Sequence, residues 1–148
     1  MCIRDRLKPA FWDSSALVPF CARQKASPNT HRLLGQYSVV VWWTTPVEVR
    51  SALERLLRTG DLSAAEHAGA ERRLDRLRKG WSELAPTEAL RDEAEMLLAR
   101  FPLSAADALQ LAAAMQWTGG HPRGQVFICG DARLLEAARR LGFQAVEA

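Results

Sequence analysis

Long apolar runs are missing from this chain. Charge or proline interrupts each one well before the roughly 18 residues that a membrane-spanning helix needs, and the amino terminus lacks the basic-then-apolar order of a secretory signal. Both absences point to a soluble protein. Cysteine is scarce: Cys2, Cys21 and Cys129 are odd in number, with no C-x-x-C and no metal-ligand spacing. That argues against a disulfide framework and suits a reducing compartment, the cytoplasm by default. His31, His67 and His121 are scattered without a partner at ligand spacing, so neither a zinc centre nor histidine-based catalysis is expected. No G-x-G-x-x-G or P-loop offers a nucleotide site. A receiver-type phosphotransfer protein would show adjacent acids early and a lysine after a late strand, and neither appears. Charge is not extreme either: 20 lysines and arginines against 17 acids leave a net +3. Such an excess permits a polyanionic partner without demonstrating one, because positive charge must cluster to bind nucleic acid.

What is present suits one domain. A chain of 148 residues with 48% hydrophobic and 25% charged residues can bury about 68–70% of its unfolded surface, enough for a core without staples. Residues 1–8 show no period that joins them to the apolar run after them and read as a tail that the domain, 9–148, does not require. Ala10-Phe11-Trp12 is a short strand ending at Asp13-Ser14-Ser15, a cluster that starts helices. A helix through Ala16, Leu17 and Phe20 and a second through Leu33 and Leu34 precede Tyr37 to Trp43. That segment is β-branched, aromatic and continuous, the pattern of a strand buried on both faces. Helices are expected from Thr45 to near Gly60, from Leu62 to Lys79, from Thr87 to Arg100 and from Ser104 to Trp117, with a short edge strand within Trp81 to Pro86. Gln125 to Cys129 is a second buried strand, a helix runs on to Leu141, and Phe143 to Val146 closes the chain as a strand. Alternating strands and helices mean right-handed βαβ units around a parallel sheet, whose ligands bind outside the carboxyl ends of the strands where strand order reverses.

Four carboxylates stand at helix entrances: Asp13 after the first strand, Glu48 after the second, Asp107 opening the alanine-rich helix, and Asp131 after the strand that ends at Cys129. Each has a local role available. Thr45-x-x-Glu48 and Ser104-x-x-Asp107 have the form of capping boxes, and Asp13 and Asp131 that of N-caps. Helices starting at one end of a sheet would also bring these acids together, where mutual repulsion calls for a cation. Oxygen-only donors suit magnesium or manganese. Asp107 argues furthest in this direction, because its helix is apolar on nearly every side and an ionised group in a buried helix needs a partner.

The pieces Asp13-Ser14-Ser15-Ala16-Leu17, a helix-opening Glu48, the helix from Leu103 to Ala114 built around Asp107-Ala108-Leu109, and Cys129-Gly130-Asp131 occur in an order that resembles the PIN-domain family of metal-dependent ribonucleases. Within that family the chain is similar to the VapC-type toxins of toxin–antitoxin pairs. The resemblance spans about Phe11 to Val146. It implies a PIN-like three-layer α/β/α sandwich with a parallel sheet of about five strands, a pocket holding Mg2+ or Mn2+, and endonucleolytic hydrolysis of RNA. Asp13, Glu48, Asp107 and Asp131 would be the catalytic, metal-binding acids, and Ser15 would support Asp13 by hydrogen bonding. A cognate antitoxin would block the acidic groove with a peptide, often through an arginine. Cys129 departs from the pattern, which carries threonine or serine there; a thiol is a weak donor, so its support of the pocket is open. The competing reading is a PIN-like binding module that no longer cleaves and acts through protein contacts.

Other residues have plainer readings. The arginines at 72, 73, 76 and 78 with Lys79 form a basic helix face, interleaved with Glu71 and Asp75 at pairing distance. Arg72 and Arg76 are candidates for RNA contact, as is Arg50, whose alternative is pairing with Glu54 on its own helix. Trp42 and Trp43 read as core and rim of a strand end. The apolar faces between residues 53 and 77 serve either a homodimer or the core.

Overall fold

Alternating side chains on the central strands build two cores rather than one. The computed structural model describes residues 7–24 and 27–148. In it β1 (Lys8–Trp12), β2 (Tyr37–Trp42) and β4 (Val126–Cys129) lie in the middle of a five-stranded sheet, with β3 (Ser82–Leu84) and β5 (Gln144–Glu147) at its edges. Phe11, Val40, Trp42, Phe127 and Cys129 point to one face, packing against α5 (Glu88–Arg100), α6 (Ala105–Trp117) and α7 (Ala132–Leu141). Ala10, Trp12, Val41, Val126 and Ile128 point to the other, packing against α1 (Ser14–Ala22), α2 (Ser27–Gln36), α3 (Thr45–Thr59) and α4 (Ala64–Gly80). The result is a three-layer α/β/α sandwich in which β4 and the carboxyl halves of β1 and β2 are buried on both faces, which is why they read as continuous apolar runs.

The sheet is parallel throughout, in the order β3-β2-β1-β4-β5. From β1 the chain steps outward to β2 and β3 through helices on one face, then returns across the other face to β4 and β5. Strand order therefore reverses between β1 and β4, and the crevice outside their carboxyl ends is the place where such sheets bind ligands. Phe11 and Phe127 are register partners there. Their rings stack at 5.6 Å, a contact worth about 0.5–1.5 kcal/mol beyond the area it buries, so the two strands that frame the crevice are held firmly.

The element order agrees with the sequence expectation, with shifts at the ends. Lys8 already pairs with Tyr37, so the strand takes in the last residue assigned to the 1–8 tail; residues 1–6 lie outside the described residues. Thr45 does not form the expected capping box with Glu48. The N-cap is Thr44, whose side chain makes no capping bond, and Pro46 occupies the first turn, where its missing N–H costs nothing. The true capping box of this face is Ser63 with Glu66. Leu53, Leu62, Ala70 and Leu74 are buried in the α1–α4 layer, so core packing, one of the two readings of these apolar faces, accounts for them. Cys21 is a buried free thiol, as is Cys129. Among the described residues, no helix is long and apolar enough to cross a membrane.

Candidate functional site

Asp13 is placed by the corner it turns. Its N–H still donates to Ile128 O of β4 at 2.9 Å, while its backbone has become the extended N-cap of α1. Its Oδ2 accepts the Ser15 N–H at 3.0 Å and a very short bond from the Ser15 hydroxyl. The same hydroxyl accepts the Gly130 N–H at 2.9 Å, which ties the turn after β1 to the turn after β4. The two turns approach closely at Gly130: a Cβ there would stand 3.2 Å from Ser15 O, so one of them would have to give by a few tenths of an ångström. Cys129 Sγ accepts the Asp131 N–H at 3.2 Å and stands 3.8 Å from Asp13 Oδ2. The thiol therefore occupies the supporting position despite being a weak donor.

Glu48 lies in the first turn of α3. Its Oε2 accepts from Thr44 Oγ1 at 2.9 Å and from Gln110 Nε2 at 2.7 Å. Gln110 is fully buried on α6 and also reaches Thr45 Oγ1 at 3.3 Å. Asp107 sits one turn before Gln110 on the same helix, its N–H bonded to the Ser104 cap at 3.2 Å. Asp131 caps α7 through Oδ1, which accepts the Leu134 N–H at 3.0 Å. Capping and convergence thus coexist at Asp13 and Asp131, and Asp13, Glu48 and Asp131 each use one oxygen for the bonds described. The second oxygen of each accepts nothing from the described residues.

All four acids line one cleft of about 570 Å³. Asp13 is only 2% exposed; Glu48 and Asp107 are half-buried and Asp131 is exposed. Burial pushes the Asp13 carboxyl up to about 6, aided by the charges of Asp107 and Glu48 and opposed by the Ser15 hydrogen bonds. Burial and the charge of Asp107 raise Glu48, and burial and the charge of Asp131 raise Asp107. The acids therefore repel one another in a connected chain, at a cost that a bound cation would remove. The Cys129 thiol is itself pushed up to about 12 by burial and by Asp13, and so keeps its proton.

The donor set is all carboxylate oxygen, the chemistry of hard divalent ions. Among the described residues no three of the four acids have ligand atoms all within 4.8 Å of one another. The cleft thus offers its carboxylates singly or in pairs rather than as a closed cluster.

The structure redistributes the basic residues. Arg50 neither lines the cleft nor pairs with Glu54; it bonds Glu71 at 3.1 Å and Asp75 at 2.9 Å, locking α3 to α4. Those two acids consequently do not neutralise the arginines of their own helix. Arg72 is exposed on α4 and Arg76 lines a separate cavity with Arg23 and Arg73. Among the described residues the basic one in the cleft is Arg55, seven residues after Glu48 and so on the same side of α3 two turns on. That spacing was the available signal. Gln110 was also missed, although it is the one polar residue in the middle of an apolar stretch.

His67 has neighbours in space that its sequence spacing does not reveal. Nε2 of His67 lies 2.8 Å from Glu54 and 3.9 Å from Glu71, across two helices, forming a trio with ligand atoms within 4.8 Å. Arg50 also bonds Glu71, so the trio is part of a polar network that joins α3 and α4. Trp42 is buried and Trp43 exposed, core and rim as expected.

Fold and site together define a doubly wound α/β protein with an acidic cleft at the switch point of its sheet. No protein-family model matches the chain, and no curated protein does. Among solved structures it is similar to the one described as the crystal structure of PAE2754 from Pyrobaculum aerophilum, with a TM-score of 0.65, 18% identity, and coverage of 95% of this chain and 89% of that one. This likeness establishes the fold.

Proposed function

We propose that this chain is a divalent-metal-dependent endoribonuclease of the PIN type that its motifs resemble, acting in the cytoplasm as the toxin of a toxin–antitoxin pair. The observation that carries the reading is the gathering of Asp13, Glu48, Asp107 and Asp131, from four separate parts of the chain, along one cleft. Capping explains Asp13 and Asp131; it does not explain why all four acids share a wall.

Asp13, Glu48, Asp107 and Asp131 would hold Mg2+ or Mn2+. Such an ion, when bound, neutralises the scissile phosphate and makes a water acidic enough to attack it. The protein's own contribution is positioning. Ser15 fixes the rotamer of Asp13, and Thr44 with Gln110 fixes that of Glu48, leaving one oxygen of each acid for ligation. Arg55, without a salt bridge among the described residues, offers a charge that an RNA phosphate can meet inside a cleft that otherwise repels it. A basic antitoxin peptide would find in the same acids the counter-charge they lack.

The test is cleavage of a pool of structured RNAs by the native chain and by Asp13→Asn, with manganese, with magnesium and with chelator. Cleavage by the native chain with either metal alone is expected. Undiminished cutting under chelation, or by the variant, would refute the proposal.

A further inference from the structure

The last turn of α1 is shared by two concavities. Pro19 lines the acidic cleft, whereas its neighbour Phe20 and then Arg23 line a second cavity of about 770 Å³, to which α4 contributes Arg73 and Arg76. Among the described residues no acid lines this second cavity, and none of its three arginines has a salt bridge. The reason lies in α4, whose Glu71 and Asp75 are turned to Arg50 of α3. One of the guanidinium groups is held by a backbone carbonyl. Arg73 Nε donates to Cys21 O at 2.7 Å, fastening α4 to the end of α1, and Arg23 is the left-handed cap of that helix at φ 52. Burial and the like charges of Arg23, Arg76 and Arg72 hold Arg73 below its ordinary value, as expected for positive groups gathered without a counter-charge. Beside them the Phe20 and His31 rings lie 5.1 Å apart, an aromatic wall of the kind that takes an unpaired base.

The cleft and this cavity adjoin at the end of α1, where Pro19 and Gln24 line the one and Phe20 and Arg23 the other. From Glu48 to Arg55 the axis of α3 rises roughly 10 Å, and both the cleft and the cavity then touch the end of α1. We infer that the arginine cavity is an accessory phosphate subsite, holding the backbone of single-stranded RNA beside the bond presented to the acids. The identity of the ligand rests on the nuclease reading; the placement of the subsite rests on the arginines.

Binding of a labelled single-stranded RNA oligomer to the full chain, monitored by fluorescence anisotropy in chelator across a salt series, tests this. Each lost phosphate contact should flatten the plot of log affinity against log salt by about 0.7 and weaken binding about fivefold at about 0.1 M salt. Arg76→Ala and Arg23→Gly are the variants, glycine being chosen because it adopts φ 52 without strain. Arg76→Lys should restore the native slope. Thermal melts confirm that the variants fold, and Arg73 is left intact because of its bond to Cys21. Native slopes in both variants, or no binding of RNA by the native chain, would overturn the inference. A chain that cuts RNA with variant slopes unchanged loses the subsite and keeps the nuclease. One that binds with the expected slopes but never cuts keeps the subsite and loses the nuclease.

Discussion

Replacing Asp13 by asparagine should abolish cleavage and, without metal, make the protein more stable. Burial, with the neighbouring charges of Asp107 and Glu48, raises this carboxyl from 3.8 to about 6. The folded state therefore binds the proton more tightly than the unfolded chain. Its contribution to stability is fully present below about pH 4 and is lost as pH rises through about 6. At about 1.4 kcal/mol per unit, the loss at pH 7.5 amounts to roughly 3 kcal/mol. Asp13 is 2% exposed, so solvent screening does little to reduce it. Asparagine keeps the side-chain oxygen that caps α1, a position it favours, and carries no charge to desolvate. In chelator at pH 7.5 the variant should melt roughly 6–12 °C higher, given about 2–4 °C per kcal/mol in a chain of this size, and the gap should close by about pH 3.5. Calorimetry or circular dichroism at the two pH values reads both. Adding magnesium or manganese should then raise the midpoint of the native chain, by about 2.7 kcal/mol of stability at a hundredfold excess over Kd, while moving the variant much less. A variant less stable than the native chain at pH 7.5, or equally advantaged at both pH values, would refute the electrostatic reasoning.

Three further outcomes are expected from the same contacts. Gly130→Ala would place a Cβ 3.2 Å from Ser15 O; the strap between the two turns should loosen at a cost of about 1–3 kcal/mol, with cleavage falling further than urea denaturation alone accounts for. Cys129→Ser puts a stronger donor near Asp13 Oδ2; the acidic limb of the pH–rate profile should move to lower pH, and an unmoved limb would mean that Cys129 does not support Asp13. Gln110→Leu removes the 2.7 Å bond to Glu48 and leaves a half-buried carboxylate short of a donor; unfolding should become easier by about 1–3 kcal/mol, and the metal concentration needed for half-maximal activity should rise.

How much of this was legible beforehand differs from residue to residue. The strands at Ala10–Trp12, Tyr37–Trp42 and Val126–Cys129 were plain in one dimension, because a strand covered on both faces must be apolar at consecutive positions. The helix entrances at Asp13, Ser104 and Asp131 were plain too, since an N-cap depends only on a side-chain oxygen and N–H groups two or three residues on. Arg50 was not legible. Glu54 is its neighbour by helical spacing, yet Glu71 and Asp75 hold it, and no periodicity in α3 reveals which acids α4 will present. His67 likewise meets Glu54 only because the two helices pack together.

Local sequence alone determined where the chain turns from strand to helix and, at Asp13, Ser104 and Asp131, which residue caps the helix, because both depend on atoms a few bonds apart. Only the tertiary structure decided that the acids share a wall, that burial lifts Asp13 while Asp131 stays in water, and that Gln110 and Arg55 belong with them. Desolvation and Coulomb coupling depend on which distant segments pack side by side, and the reversal of strand order between β1 and β4 made that choice.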